Sequence, residues 1–478
     1  MSAVVRVSGG LLRGDDSGPV LAFRGIPYGA PPVGPLRWQP PEPVPPWSGV
    51  RDAVAFGPVA PQAIDPERLA RRGLTMGEDC LSLNVWTPGL EGPPRPVLVF
   101  LHGGGQAAGH GSAPLFDGSG LTARGDIVVV TISFRLGVLG SLFAPDRLGP
   151  GSTNLALRDQ VAALAWVRAE IAAFGGDPSA VTVYGQSSGA VGIAALLAGG
   201  CDLFDQAILS SGGLERVRAT SAAAAVAEQV LAALPEDPRT ASVEEILAVQ
   251  RTVPTGFVPP QGPFHPHLDG DVIPEHPLVV ARTQAMRPIP LLVGTTSDEW
   301  RVFDAGLPDD EADEAAARAR AQVLLGEDAD VEAALASYRS EGGSWPETGS
   351  ALVTDYHFTA PTEQLARAHA GRGNRVHRYE LQWPSPRPGL GACHDTCLPL
   401  VFGSLAAAPM LAGDGAEARA MSATVQDAWI AFVRGGQPWA PYDGQAGPTM
   451  LLGPRSGVVR GHRAEQLALW DGRYPAYP

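Results

Sequence analysis

Val181-Thr182-Val183-Tyr184-Gly185-Gln186-Ser187-Ser188-Gly189-Ala190 passes from a β-branched apolar stretch, through a serine bracketed by glycines, into the small apolar run Ala190–Ala198. The first four residues predict a buried strand and the last run a helix. The segment is therefore strand, sharp turn, helix, with Ser187 at the corner. A side chain at 185 or 189 would collide with the adjoining strand or helix, which accounts for both glycines. A serine on such a corner has its hydroxyl turned outward, and the Ser188 N–H opens the helix as a donor for negative charge. The pattern marks a candidate nucleophile, and it needs a parallel sheet beneath it.

Other short apolar runs supply that sheet: Val97–Leu101, Ile127–Ser133, Ala207–Leu209, Pro290–Gly294 and Val376–Leu381. Helical periods lie between them. In 159–174 the apolar residues Leu164, Val167, Ile171 and Phe174 recur every three or four positions, and Gly175-Gly176-Asp177-Pro178 closes the helix. Ser242 and Glu245 have capping-box spacing ahead of an apolar run. The Pro-rich stretch 20–50 carries Phe23, Ile26, Trp38 and Trp47, a content that predicts packed irregular chain and not a linker. The expectation is an α/β protein: a central, mostly parallel sheet with helices on both faces. It forms one catalytic domain over 1–478, with helical insertions at 214–262 and 303–370 covering the site.

Composition removes several kinds of chemistry. All 35 basic residues are arginine, so no Schiff-base lysine, pyridoxal-phosphate anchor or P-loop lysine exists. Fifty acids against 35 arginines give a net charge of −15, a poor field for nucleic acid or anionic membrane. No apolar run has the length of a transmembrane helix, and the first ten residues do not read as a signal peptide. Four cysteines in 478 residues do not make a disulfide framework, and a reducing compartment is expected.

Two further motifs extend the corner serine. His102-Gly103-Gly104-Gly105 follows the strand Val97–Leu101, where consecutive glycines expose backbone N–H groups to a developing oxyanion. The strand Pro290–Gly294 runs into Thr295-Thr296-Ser297-Asp298-Glu299, and acids at a strand's carboxyl end are candidates to orient a base. Spacing does not choose between Asp298 and Glu299. Of ten histidines, His394 lies in a Gly- and Pro-rich loop after the last clear strand, completing the order serine, acid, histidine. His110, His369 and His462 read as structural. Cys393, His394 and Cys397 fall within five residues, but no fourth ligand is near in sequence, so no metal is expected.

The chain resembles the type-B carboxylesterases, the family of cholinesterases and bacterial p-nitrobenzyl esterases, over about residues 20–450. Phe23-Arg24-Gly25-Ile26-Pro27-Tyr28, Pro31-Pro32-Val33-Gly34-Pro35-Leu36-Arg37 and Trp47-Ser48-Gly49 match its first signature. Glu78-Asp79-Cys80-Leu81-Ser82-Leu83-Asn84-Val85 matches its second. Arg135-Leu136-Gly137, Asn154, Asp159-Gln160, Asp269-Gly270 and Pro399-Leu400-Val401-Phe402-Gly403 fall in the family's order.

The resemblance implies an α/β-hydrolase fold and serine ester hydrolysis through an acyl-enzyme. It implies Ser187 as nucleophile, Glu299 as acid and His394 as base, with the N–H groups of Gly104, Gly105 and Ser188 as oxyanion hole. It implies a structural ion pair between Arg37 and Glu78, no cofactor, and a small-molecule ester as partner. A cytoplasmic bacterial monomer or weak homodimer is expected. The rival readings are a non-catalytic binding module of the same fold and hydrolysis of a related acyl bond: carbamate, amide, thioester or polyester oligomer. The sequence departs from the family at Gln186 (usually Glu), Ser188 (usually Ala), Asp395 (usually Gly) and Cys397 (usually an acid). Cys80 lacks its upstream partner, so the family's secreted-type disulfide does not form. Residues 57–79 hold no Trp for a cholinesterase-like cation–π site.

Overall fold

The computed structural model describes residues 3–473, apart from 213, 215, 254–262, 284–285, 307–312, 327–328, 340–342 and 445–446. The chain groups into two compact units, Met1–Ile208 with Arg216–His276, and Leu209–Glu215 with Pro277–Tyr477. No helix among the described residues is long and apolar enough to cross a membrane.

The first unit contains β1 (Val4–Val7), β2 (Gly10–Arg13), β3 (Leu21–Pro27), β4 (Val50–Asp52), β5 (Ser82–Thr87), β6 (Arg95–Leu101), β7 (Val128–Ile132), β8 (Gly176–Gln186) and the start of β9 (Gln206–Ser210). β1, β2 and β4 make a small separate sheet. The others lie in the order β3-β5-β7-β6-β8-β9. β6 is parallel to both β7 and β8, while β5 runs antiparallel to β7 and β3. Val97–Leu101 and Val128–Val130 are wholly buried, as parallel strands covered on both faces must be.

The helix Leu155–Glu170 begins four residues before the predicted start and passes into a tight turn, Ile171–Phe174. Gly175 caps that turn at φ +75°, a left-handed conformation that favours glycine. On this helix Asp159 receives Arg135 at 2.8 and 2.6 Å, with both side chains almost fully buried. The Pro-rich stretch is packed as expected. Trp38 is fully buried and donates to the Val138 carbonyl at 3.0 Å. Trp47 donates to the Leu11 carbonyl at 3.0 Å and lies over the small sheet's turn, where a Cβ on Gly9 would meet its ring at 2.2 Å.

The predicted insertion 214–262 contains the helices Thr220–Ala232 and Val243–Thr252, the second opened by the Ser242/Glu245 capping box. Ala227, Val230, Leu231 and Ile246 from these helices pack with Val138, Leu139 and Leu142. Its last nine residues, 254–262, lie outside the described residues.

The second unit holds the end of β9, then β10 (Leu291–Thr296), β11 (Val376–Leu381), β12 (Thr449–Leu452) and β13 (Gly457–Val459), in that lateral order. β10, β11 and β12 are parallel, and β13 turns back antiparallel. The predicted insertion 303–370 is helical where described: Glu314–Leu325, Val331–Tyr338, Trp345–Thr354 and Ala360–Ala370. Residues 307–312, 327–328 and 340–342 of it lie outside the described residues. The last two helices are joined by a wider π-type turn, Asp355–Thr359.

Candidate active site

In the first unit, β8 ends at Gln186 and the helix Ser188–Ala198 begins at once, leaving Ser187 as the whole connection. Its backbone sits at φ +55°, ψ −127°, a region an L-residue enters only when its surroundings enforce it. The enforcement is steric. A Cβ on Gly185 would lie 2.5 Å from Gly189 backbone atoms, and one on Gly189 would lie 2.1 Å from the Leu101 carbonyl oxygen. β6, β8 and the helix thus approach too closely for any residue but glycine at either position.

The loop after β6 contains Gly104 at φ +112° and Gly105 at φ +64°. A Cβ on Gly104 would meet the Ala108 carbonyl oxygen at 2.1 Å. Ser188, the first residue after the corner, bonds to this loop. Its Oγ accepts the Gln106 N–H at 3.2 Å, and its carbonyl accepts the Gln106 side-chain amide at 3.3 Å, tying this loop to the helix start. Among the described residues the N–H groups of Gly104, Gly105 and Ser188 have no protein acceptor. They are oriented donors, two on left-handed glycines and one at a helix N-terminus.

His102, at the head of the glycine run, is buried and stacks on Phe134 at 4.4 Å. Burial pushes its pKa down to about 4. A ring that resists protonation and contacts the neighbouring Gly103 carbonyl at 2.8 Å is a support for the loop.

In the second unit, β10 delivers Glu299 three residues past its end. Glu299 is fully buried. Its Oε1 accepts the Thr296 N–H at 2.7 Å, and its Oε2 lies 2.5 Å from His394 Nδ1. The His394 N–H also donates to the Glu299 carbonyl at 3.3 Å. A carboxylate only accepts, so Nδ1 carries the proton and Nε2 of the neutral ring carries the lone pair. Two aromatic rings lie against the imidazole, Phe303 at 5.4 Å and Phe358 at 5.0 Å, and both His394 and Glu299 are buried.

Asp298, the competing acid, is used differently. Its N–H donates to the Ala392 carbonyl and its Oδ2 accepts the Ala392 N–H, both at 3.0 Å, and Arg301 pairs with its Oδ1 at 2.9 Å. It fastens the Glu299 loop to the His394 loop and makes no contact with the imidazole. Sequence reasoning missed this clip, as it missed Phe358 beside the ring. Trp300 is buried core, packed on Phe303 and stacked on His357 at 5.1 Å.

The remaining sequence candidates are also placed. Arg37 and Glu78 make a two-pronged pair at 2.6 Å on each prong, and the third guanidinium nitrogen reaches the Arg239 and Ala241 carbonyls. His369 contacts the Ile289 carbonyl and His462 the Glu380 carboxylate. The buried Cys393 thiol, its pKa raised by burial, lies 3.5 Å from the Thr396 hydroxyl. Among the described residues, which include all four cysteines, there is no disulfide and no cluster of His, Cys, Asp or Glu that would hold a metal.

The sequence profile of the carboxylesterase family matches residues 1–470. The chain belongs to the carboxylesterase family. It is 36% identical over 471 residues to the para-nitrobenzyl esterase of Bacillus subtilis, covering 94% of each chain. It is 34% identical to the phenmedipham hydrolase of Pseudarthrobacter oxydans, covering 87% of this chain and 86% of that one. Among solved structures, a Geobacillus stearothermophilus carboxylesterase superposes with a TM-score of 0.88 at 32% identity, over 98% of this chain and 99% of that one. The fold is the α/β-hydrolase fold, and this carboxylesterase-family chain is a serine carboxylic ester hydrolase.

Proposed function

We propose that Ser187, Glu299 and His394 are the catalytic triad of this esterase, and that the Gly104, Gly105 and Ser188 amides form its oxyanion hole. The observation that carries the reading is the 2.5 Å contact of His394 Nδ1 with the buried Glu299 carboxylate, which reserves Nε2 for proton transfer. His394 takes the Ser187 hydroxyl proton as Oγ attacks the ester carbonyl. Glu299 stabilises the resulting imidazolium without taking its proton. The three amides hold the tetrahedral oxyanion, a contribution of about 3–4 kcal/mol per donor. The imidazolium then protonates the leaving alkoxide, and a water activated by the same ring releases the acyl group. The Arg37–Glu78 pair is structural.

The substrates proposed are small carboxylic esters. The two units work as one catalytic domain, in a cytoplasmic bacterial enzyme that is a monomer or weak homodimer. The absence of disulfides among the cysteines supports the compartment.

Stoichiometric labelling of Ser187 by a fluorophosphonate tests the site, and no adduct on folded protein would refute it. An ester series of increasing acyl length, with Ser187→Ala as control, separates a carboxylesterase from a lipase. Parallel carbamate, amide, thioester and polyester-oligomer substrates separate the related acyl bonds.

A further inference from the structure

The residue directly after His394 is conformationally costly. Asp395 stands at φ +71°, in the left-handed region where glycine is the usual occupant. The conformation belongs to a tight turn in which the Asp395 carbonyl accepts the Leu398 N–H at 3.0 Å, opening the helix Cys397–Phe402. Glycine satisfies that geometry without strain, so the turn does not explain the carboxylate. The side chain is placed at the imidazole: Oδ1 lies 3.8 Å from His394 Nε2, the nitrogen opposite the Glu299 contact.

The distance defines what this carboxylate does. At 3.8 Å it is too long for a hydrogen bond, so it does not capture the Nε2 proton. It is well within range of a through-space field on a charged ring. Its side chain is 47% exposed, so water and salt weaken the field without abolishing it.

Glu299 and Asp395 are charged groups set against the ring, one at each nitrogen. From the helix Arg301–Asp304 the neighbour is Phe303, and from the turn Asp355–Thr359 it is Phe358. Arg301 is held by Asp298 and Glu347, and the adjacent Cys393 thiol is driven toward its neutral form by burial.

Resting on the triad reading, we propose that Asp395 is an electrostatic positioning residue: its carboxylate stabilises the His394 imidazolium from the Nε2 side during acyl transfer. The Ser187 proton moves to Nε2 and on to the leaving alkoxide. Asp395 exchanges no proton and forms no bond. The consequence is a shift of the working range, because a ring whose charged form is favoured must be brought to higher pH before it acts as a base.

The test is the pH profile of kcat/KM for Asp395→Asn, with fluorophosphonate labelling run alongside. Asn tolerates positive φ and keeps the side-chain shape, so the change removes charge and little else. The acid limb is expected to move down by about 0.5–1 pH unit relative to wild type at low salt. D395G, which relieves the backbone, is expected to move the same way. Raising ionic strength is expected to shift the wild-type limb toward the variants, which decides the matter even if a variant folds poorly. A D395N limb that coincides with wild type, on protein labelled stoichiometrically, overturns this inference and leaves the triad intact. A purely conformational role for Asp395 leaves both variant limbs in place. Absence of labelling on wild-type protein overturns the triad reading and this one with it.

Discussion

Ser187 and His394 are held by different kinds of force. Around Ser187 the restraint is backbone against backbone: a positive-φ corner, and glycines whose missing Cβ atoms let β6, β8 and a helix touch. Around His394 the restraint is side chain against side chain: a carboxylate on Nδ1, two aromatic rings, and the Asp298 clip holding the two loops together. Backbone packing leaves few substitutions open but needs few partners. Side-chain restraint recruits residues from widely separated parts of the chain, and each can be altered without collapsing the loop. The first region therefore tunes poorly and the second tunes well, which is where the unusual Asp395 is found.

Substitutions test this contrast. The largest effect is expected for Ser187→Ala, which removes the nucleophile while keeping the Cβ and so the strain of the corner: kcat should fall by at least about 10⁴-fold with thermal stability little changed. Retention of full activity in that variant would break the assignment. Glu299→Gln should fold, because the Thr296 N–H keeps an oxygen acceptor, yet lose about 10³–10⁴-fold in kcat through the wrong imidazole tautomer. Steady-state kinetics beside circular dichroism would read both. In the first unit, Asp159→Asn leaves the buried Arg135 guanidinium with a neutral partner, and denaturant unfolding should show a loss of about 3 kcal/mol or more.

A smaller effect follows from buried imidazoles. His102, His110, His267 and His377 each have a pKa pushed down to about 4 by burial. An unfolded imidazole takes up its proton near a pH of about 6.5. Between those values the unfolded chain binds more protons, so stability is complete above the unfolded value and is lost as pH falls toward 4. Thermal unfolding should show a lower Tm at mildly acidic pH than at neutral pH. Three of the four rings lie in the first unit, so hydrogen exchange in acid should rise there before it rises around β11. Equal protection in both units would contradict that assignment.

The two regions were also unequally legible. The Ser187 corner is encoded within about fifteen consecutive residues, since strand, turn and helix are all local and each glycine has a steric reason nearby. The HGGG loop was visible for the same cause. Glu299 and His394 are 95 positions apart, and residue chemistry alone left Asp298 open beside Glu299. Family resemblance preferred Glu299. The fold supplies the physical reason, because Asp298 is taken by Ala392 and Arg301 while Glu299 points at the ring. Arg37 and Glu78 were paired by resemblance alone, and their match across 41 residues is made in three dimensions.

The α/β class, the serine corner, the glycine run after Leu101 and the lack of lysine follow from sequence alone, because periodicity, glycine sterics and composition act over short range or over none. Which acid meets the imidazole, which rings lie against it, and how near Asp395 comes to Nε2 were decided by the tertiary structure. Those contacts fix free energy through distance and burial, and neither quantity is written in the spacing of residues along a chain.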